Sequence, residues 1–210
     1  MNVSPETLRL YAVTDRRWLN GLTLAEAVEA AILGGVTVVQ LREKHLPAAD
    51  FLREATVLRE VCARYDVPLI INDSAEIALQ SGADGVHIGQ KDGNVRDIRR
   101  LLGDSKILGV SAATVAEARQ AEADGADYLG CGAVFSTATK TDTRAVDNAL
   151  LSEICAAVRI PVVAIGGITA ENAPQLKGTG IAGTAVVSSL FAQPDIRQAA
   201  ENLCRLEVWK

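Results

Sequence analysis

The sequence predicts an α/β fold, a single domain in which eight parallel strands and their connecting helices close into a (β/α)8 TIM barrel. A short β-branched run, a turn and an amphipathic stretch rich in alanine and glutamate recur along the 210 residues. The runs are apolar nearly throughout, as expected for parallel strands buried on both faces. Eight such units in about 200 residues fit a compact barrel, whereas an open doubly wound sheet, the alternative, usually has fewer strands. No break in composition divides the chain, so residues 1–210 are assigned to one domain.

The predicted elements follow from the pattern of apolar residues and from the capping residues and glycines between the apolar runs. The strands lie at residues 10–13, 37–41, 68–71, 85–88, 107–110, 128–131, 161–165 and 184–187. Helices are predicted at residues 24–33, 50–65, 95–102, 114–123, 150–158 and 195–206. Four residues suit the N-terminal cap of a helix: Thr23, Asp50, Asn94 and Thr114. Three glycines that precede strands suit the left-handed position that ends a helix: Gly82, Gly125 and Gly180.

Composition and charge exclude several classes of protein. Hydrophobic residues make up 49% of the chain, enough for a large core. The net charge of −5 and the pI near 5.1 argue against a nucleic-acid or membrane surface. No signal peptide is visible, and no apolar run approaches the ~20 residues that span a bilayer. The four scattered cysteines show no metal-ligand spacing, so we expect a cytoplasmic protein with reduced thiols; a homo-oligomer is compatible with the sequence, which does not fix the oligomeric state.

Polar residues and glycines follow nearly every predicted strand. The C-terminal rim of a (β/α)8 barrel carries its chemistry, so these residues are expected to meet around one mouth. They are residues 40–44, 72–73, 90–92, 111, 132–140, 166–167 and 188–189.

Two aspartates at this rim follow neighbouring strands. Asp73 comes after the third predicted strand and Asp92 after the fourth, so their carboxylates are expected to reach a common point. Two carboxylates without a counterion repel each other, and Mg²⁺ characteristically binds one or two carboxylates together with substrate phosphates and water. The alternative is that both are turn or helix-capping residues, particularly Asp73, which precedes a helix-like segment. From the residues alone the two interpretations are equally supported.

Cations at the same rim favour the metal. Arg42 and Lys44 follow the second strand, and Lys140 lies in the long loop after the sixth. Arginine grips phosphate oxygens as a planar fork and lysine acts as a point charge, although most such residues are solvated surface charges. Three cations and a metal ion at one rim of an acidic protein suit a diphosphate better than a monophosphate.

A second anion site is predicted after strands seven and eight, where barrels recurrently bind phosphate. Gly166 and Gly167 allow backbone N–H groups to approach an anion, and a helix that begins at Ser188 would direct its positive end to the same place. The mouth therefore has room for two phosphorylated ligands.

The residues at this rim lie in stretches that resemble the thiamine phosphate synthase family. The stretches are QLREK (40–44), IIND (70–73), GADGVHIGQKD (82–92), GVS (109–111), GAVFSTATK (132–140), AIGGIT (164–169) and VVSS (186–189). They run in family order over nearly the whole chain after Leu10, and the full series is specific. The resemblance implies a (β/α)8-barrel transferase. It joins hydroxymethylpyrimidine diphosphate and thiazole phosphate, with Mg²⁺, into thiamine phosphate and diphosphate through a pyrimidine carbocation.

Carried over position by position, the resemblance implies three groups of site residues. The pyrimidine diphosphate ligands are Gln40, Arg42, Lys44, Asn72, Ser111 and Lys140, with catalysis assigned to Arg42, Lys44, Ser111 and Lys140. The thiazole phosphate ligands are Thr137, Thr139, Gly167, Val187 and Ser188. The metal ligands are Asp73 and Asp92.

Two rival functions are weighed against this one. A thiazole tautomerase-like relative would be expected to lack the paired aspartates and the Thr-x-Thr-Lys loop. A non-catalytic precursor-binding protein would be expected to have lost a metal aspartate or Lys140, and this chain keeps all of these residues. The chain departs from the family at Ser136, where proline is common, and at Ala182, where aspartate is common. The loop 136–146 is predicted to be a lid.

The remaining aromatic and histidine residues are assigned mainly to the core. For His87, within the fourth strand, a hydrogen-bonded core position is favoured over one that faces the substrate. Tyr11 and Trp18 are interpreted as packing residues. No Ser-His-Asp or Cys-His arrangement that would supply a nucleophile is visible.

Overall fold

A computed structural model, which describes residues 3–19, 21–136 and 145–209, confirms the closed parallel barrel. Each strand pairs with the next along the chain, and the eighth pairs with the first. The strands are β1 Leu10–Val13, β2 Val38–Leu41, β3 Leu69–Asn72, β4 Gly85–Ile88, β5 Ile107–Ala112, β6 Tyr128–Cys131, β7 Val162–Ile165 and β8 Gly183–Val186. Because β5 continues to Ala112, Ser111 lies inside a strand and pairs with Gly130, not in the loop that follows.

Helices surround the barrel. They are α1 Leu24–Leu33, α2 Ala48–Ala63, α3 Ala75–Ser81, α4 Val95–Leu102, α5 Val115–Ala123, α6 Asn148–Ala157, α7 Ser188–Phe191 and α8 Ile196–Cys204. Between β7 and β8 the chain forms only a short 3₁₀ helix, Ala173–Leu176. Within the described ranges, no helix is long and apolar enough to cross a membrane.

The predicted N-terminal caps are confirmed in three of four cases. Thr23, Asn94 and Thr114 each accept a hydrogen bond from the backbone three residues on. The prediction for Asp50 is wrong because α2 begins two residues earlier, at Ala48, and Pro47 occupies the N-cap position. Gly82 and Gly125 end α3 and α5 with φ of +71° and +99°, as predicted. The prediction for Gly180 is wrong, because the 3₁₀ helix before it ends at Lys177, although Gly180 does have a φ of +89°.

Apolar side chains fill the inside of the barrel and the layer between strands and helices. The inner group consists mainly of Tyr11, Val13, Val38, Ile70, Ile107, Tyr128, Val163 and Ala185, with Val3 and Leu8 packed against it. Side chains along a strand alternate in direction, so the positions two residues beyond Val38, Ile70 and Gly109 also point inwards. Those positions are Gln40, Asn72 and Ser111, which line the cavity at the C-terminal rim. The four cysteines are free, and burial raises the pKa of Cys62 and Cys131 to about 12.

A repeated hydrogen-bond pair closes the opposite, N-terminal end of the strands. The Asp84 carboxylate accepts from the Leu69 N–H at 2.9 Å, and its own N–H donates to the Leu69 carbonyl. The Asp127 carboxylate makes the same pair with Leu108 at the start of β5. At the start of β7 the equivalent position is Ala182, which keeps only the backbone bond to Val162.

Replacing Ala182 by aspartate is therefore expected to raise the free energy of unfolding by about 1 kcal/mol, the typical net value of one hydrogen bond. The register places residue 182 opposite Val162 as it places Asp84 opposite Leu69, so the new carboxylate would accept the Val162 N–H. Denaturant unfolding of Ala182→Asp measures the effect. Asp84→Ala is the reciprocal variant and should lose stability, whereas no change in either variant would contradict the pairing.

Candidate active site

A cavity of about 150 Å³ opens at the C-terminal rim and lies over the centre of the barrel. It brings together most of the residues predicted from sequence. Those that line it are Gln40, Arg42, Asn72, Asp73, Ser111, Gly167, Val187 and Ser188. Thr137, Thr139 and Lys140 lie outside the described residues, as does most of the predicted lid.

Asp73 is placed by the sharp end of β3. Its φ is +65°, a conformation that aspartate tolerates better than most residues. The cap of α3 is the next residue, Ser74, whose hydroxyl accepts from the Ile77 N–H. The helix-cap interpretation of Asp73 is therefore wrong. Its carboxylate instead forms an ion pair with Lys44.

Asp92 closes a tight turn after β4. Its carboxylate Oδ2 accepts from the Gly89 N–H at 2.7 Å, and its own N–H donates to the Gly89 carbonyl at 3.2 Å. The turn-residue interpretation is thus correct for one oxygen of Asp92. The carboxyl group also lies close enough to Asp73 to lower the pKa of that residue by hydrogen bonding. Asp73 and Asp92 therefore lie near each other on the same side of the rim.

Asn72 presents an unpaired donor beside these carboxylates. The residue is only 8% exposed, yet its Nδ2 has no hydrogen-bond partner of acceptable geometry in the described part of the chain. The amide is near enough to Asp73 to contribute to the lowering of its pKa. A buried donor without a partner is costly, so this group is suited to an acceptor that arrives with a ligand.

The ion pair with Lys44 controls the charge of Asp73. Burial raises the pKa of Asp73, but the hydrogen bond from Lys44, helped by Asp92 and Asn72, outweighs it and holds the pKa below its ordinary value. The carboxylate therefore remains charged to lower pH than a free aspartate.

Lys44→Met is expected to raise the pKa of Asp73, because it removes the hydrogen bond that most strongly opposes the effect of burial. A carboxyl ¹³C titration measures the shift, with exposed Lys177→Met as the control. A depressed pKa contributes stability above the unfolded-state pKa that is lost as pH falls through the folded-state value. The stability difference between wild type and Lys44→Met should thus be present at neutral pH and disappear in acid. An unshifted Asp73 titration would contradict the assignment.

Thr14, which follows β1, holds the backbone of Arg42 by a hydrogen bond that was not predicted. The Arg42 N–H donates to the Thr14 hydroxyl at 3.0 Å. Asp15 is 7% exposed, and hydrogen bonds from Arg17 are the main cause that lowers its pKa, with a smaller contribution from the charge of Arg42. Thr14 and Asp15 directly follow the first strand, so the rule used for the other strands would have found them.

The predicted phosphate-binding side is built from backbone groups in close contact. Gly166 and Gly167 have φ of +105° and +64°. A Cβ at Gly167 would lie 2.4 Å from the Ser136 carbonyl oxygen, so only glycine fits. The Phe135 N–H donates to the Gly166 carbonyl at 3.0 Å, which ties the start of the loop after β6 to the end of β7.

The helix predicted to begin at Ser188 does so, but it is short. It contains four residues, and Val187 precedes it without a side-chain hydrogen bond that caps its first turn. The first N–H groups of a helix have no intrahelical acceptors, so those next to the cavity remain suited to an anion. The Ser189 hydroxyl donates to the Ile168 carbonyl at 2.6 Å and fixes the helix against the end of β7.

The floor of the cavity is a chain of hydrogen-bonded side chains. Gln40 Nε2 donates to the Tyr11 hydroxyl at 2.8 Å, which lies 2.7 Å from the Tyr128 hydroxyl. His87 contacts Tyr128 through Nδ1 at 2.9 Å and Ser111 through Nε2 at 3.0 Å. The prediction of a hydrogen-bonded His87 is confirmed, although its ring also faces the cavity. Tyr11 is a core residue, as interpreted, and also lines the site.

The donor set fits a magnesium ion that shares its ligands with a substrate. Within the described ranges, no cluster of three or more histidine, cysteine, aspartate or glutamate side chains forms a complete metal cage. Asp73 and Asp92 supply two adjacent carboxylates, and Mg²⁺ commonly completes such a set with phosphate oxygens and water. The residues are therefore compatible with the predicted metal.

A (β/α)8 barrel with carboxylates, cations and backbone N–H groups around a cavity at its C-terminal rim has the architecture of an enzyme that acts on small molecules. The family model for thiamine monophosphate synthase matches residues 10–190. A thiamine-phosphate synthase from Ruminiclostridium cellulolyticum is 53% identical over 96% of each chain. One from Clostridium tetani is 48% identical over 92% of this chain and 93% of the relative.

Among solved structures, a thiamine phosphate pyrophosphorylase from Pyrococcus furiosus superposes with a TM-score of 0.90 at 37% identity. The match covers 98% of this chain and 99% of that one. The chain belongs to the thiamine monophosphate synthase family and is a transferase. The family resemblance and the fold predicted from sequence are both confirmed.

Proposed function

We propose that this transferase couples 4-amino-2-methyl-5-(diphosphomethyl)pyrimidine with 4-methyl-5-(2-phosphoethyl)thiazole to give thiamine phosphate and diphosphate. The observation that supports it best is the position of Asp73 at the cavity, where it is paired with Lys44 and lies near Asp92 and near the Asn72 Nδ2, which has no partner among the described residues. That combination suits a diphosphate and the magnesium ion that accompanies it.

The pyrimidine diphosphate is proposed to lie between β2 and β5. Arg42 would grip diphosphate oxygens as a fork, and Lys44 would exchange part of its contact with Asp73 for a phosphate oxygen. Asn72 would donate to the same group from its Nδ2, which has no partner among the described residues. Gln40 and Ser111, at the cavity floor, would contact the pyrimidine ring. Lys140 is proposed to complete this set, and it lies outside the described residues.

The thiazole phosphate is proposed to lie across the cavity, between β7 and β8. Gly167 and the first turn of α7 at Ser188 offer backbone N–H groups next to the cavity. Thr137 and Thr139, outside the described residues, are proposed to close this site. The two phosphate groups would then be held on opposite sides of the mouth, with the reacting atoms between them.

The proposed reaction breaks the bond between the pyrimidine methylene carbon and the diphosphate oxygen, and the electron pair leaves with diphosphate. The aminopyrimidine ring carries the resulting positive charge until the thiazole nitrogen donates its lone pair and forms the new C–N bond. Mg²⁺, held by Asp73 and Asp92, would supply positive charge beside the leaving group. Arg42 and Lys44 would stabilise the same developing negative charge, and the walls of the cavity would align the two substrates.

A protein nucleophile is not required by this mechanism. Ser111 and His87 do contact each other, a pairing that the sequence did not reveal. The third member of the chain is the Tyr128 phenol, whose pKa burial raises well above its ordinary value, so it remains neutral. A neutral phenol does not stabilise an imidazolium as the carboxylate of a triad does.

Incubation of the purified chain with both precursors and Mg²⁺ tests the proposal, with thiamine phosphate and diphosphate measured separately. Both products should appear in equal amounts. A thiazole tautomerase-like enzyme would isomerise the thiazole and release no diphosphate, and a precursor-binding protein would form no product. The cytoplasmic location, the oligomeric state and the lack of a nucleic-acid partner stay predictions.

A further inference from the structure

The hydrogen-bond chain under the cavity joins the two side chains proposed to contact the pyrimidine ring. It begins at Gln40 on β2, passes through Tyr11, Tyr128 and His87, and ends at Ser111 on β5. Two of its three middle members are buried tyrosines, Tyr11 at 2% and Tyr128 at 0% exposure, that the reaction does not otherwise use. The chain thus crosses the whole barrel interior.

Glycines on neighbouring strands make the space for these rings. A Cβ at Gly109 would lie 2.2 Å from Tyr128 Cζ, and a Cβ at Gly130 would lie 2.9 Å from His87 Cε1. The rings pack at centroid distances of 5.9 Å for Tyr11 and Tyr128 and 5.5 Å for His87 and Tyr128. The packing of the rings against one another and against the neighbouring strands therefore holds the hydrogen bonds in place below the cavity.

Only one direction of donation satisfies every group when the Gln40 Nε2 faces Tyr11, as it does here. Tyr11 accepts from Gln40 and must donate its proton to Tyr128, since its hydroxyl has these two partners. Tyr128 then donates to His87 Nδ1, which must be unprotonated. The ring proton of a neutral His87 is consequently on Nε2 and is donated to Ser111 Oγ.

This order gives the two ends of the chain opposite roles at the cavity. Ser111 accepts from His87, so its own hydroxyl proton can be donated to a ligand. Gln40 donates Nε2 to Tyr11, and its carbonyl oxygen, which has no donor among the described residues, can accept from a ligand. A donor on one side and an acceptor on the other match an aminopyrimidine, whose amino group donates and whose ring nitrogen accepts.

We propose that Tyr11 and Tyr128 are positioning residues that hold His87 as the Nε2–H tautomer and thereby fix Ser111 as a donor and Gln40 as an acceptor toward the pyrimidine ring. The proposal rests on the proposed function for the identity of the ligand. The order of the protons within the chain does not depend on that ligand. In this arrangement His87 is a donor to Ser111 and does not act as its general base.

The direct test is ¹⁵N NMR of the histidine ring at mildly alkaline pH, where an unperturbed histidine is neutral. The chain has two histidines, so replacing the exposed His45 by glutamine leaves His87 as the only source of histidine signals. We expect the proton on Nε2 and an unprotonated Nδ1. A proton on Nδ1, or on both nitrogens, would overturn the proposal whether or not the coupling reaction is observed.

Tyr128→Phe tests the positioning role, because it removes the donor to Nδ1. The His87 signals should shift toward a mixture of tautomers, and kcat/KM for the pyrimidine diphosphate should fall roughly 10- to 100-fold. KM for thiazole phosphate should not change. Tyr65→Phe, which removes a surface hydroxyl bonded to Glu29, is the matched control and should change nothing.

Tyr11→Phe provides a second variant should Tyr128→Phe fold poorly. It should release Gln40 and produce the same loss in kcat/KM for the pyrimidine. If both variants keep wild-type kinetics with an unchanged tautomer, the tyrosines only pack and the proposal is wrong. If no coupling occurs in wild type but the tautomer is Nε2–H and responds to Tyr128→Phe, the proton order stands and the proposed function fails.

Discussion

Asp92→Asn is expected to lower kcat for coupling about 1000-fold, which corresponds to roughly 4 kcal/mol of transition-state stabilisation. Asparagine keeps an oxygen that can accept the Gly89 N–H, so the turn after β4 should survive. What is lost is a negative charge beside Asp73 at the proposed metal site. The effect therefore separates the charge of Asp92 from its role in the turn.

Asp97→Asn is the matched control. Asp97 lies on α4, its side chain is 67% exposed, and it pairs only with Arg100 at the surface among the described ion pairs. Its replacement should leave kcat unchanged. Binding of thiazole phosphate, measured by calorimetry, should be nearly equal in wild type and Asp92→Asn. Equal losses of coupling and of thiazole phosphate affinity would contradict a divided site.

Gly167→Ala is expected to reduce the free energy of unfolding by roughly 2 to 5 kcal/mol and to raise KM for thiazole phosphate by about tenfold or more. Two causes combine. The alanine would have to adopt a left-handed backbone conformation at φ +64°. Its Cβ would also lie 2.4 Å from the Ser136 carbonyl oxygen. To relieve that contact, the loop after β6 must move away from the proposed phosphate site.

Gly82→Ala separates these causes. Gly82 has a similar φ of +71°, but a Cβ there would meet nothing within 4 Å. In this control the free energy of unfolding should fall only by the cost of the left-handed conformation, roughly 1 kcal/mol, and KM for thiazole phosphate should not change. Denaturant unfolding and steady-state kinetics of both variants provide the comparison. Equal losses in both variants would show that backbone conformation alone is responsible.

The fold was predictable because its signal is repeated. Eight apolar runs alternate with amphipathic stretches, and a parallel barrel is the arrangement that buries both faces of every run. The position of the site followed from the same rule, since Asp73 and Gly167 come directly after strands. The exact limits of elements were less predictable. Ser111 lies within β5 because its pairing with Gly130 continues the ladder past the predicted end.

Side-chain networks inside the barrel were not predictable in the same way. Tyr128 and His87 are 41 residues apart in the chain, and their contact depends on space left by Gly109 and Gly130. A single sequence shows that these positions point inwards, but it does not show which rings meet. Asp50 illustrates the same limit at a helix end, where Pro47 was the competing signal.

Turnover of the two precursors after exhaustive chelation, and again after Mg²⁺ is restored, tests most directly whether Asp73 and Asp92 jointly hold a magnesium ion. The wild-type chain should lose formation of thiamine phosphate on chelation and recover it when Mg²⁺ is added. Asp73→Asn and Asp92→Asn should need much higher Mg²⁺ concentrations to reach half of their own, lower, maximal turnover. Undiminished turnover of the chelated wild type, or identical Mg²⁺ dependence in all three proteins, would contradict the account.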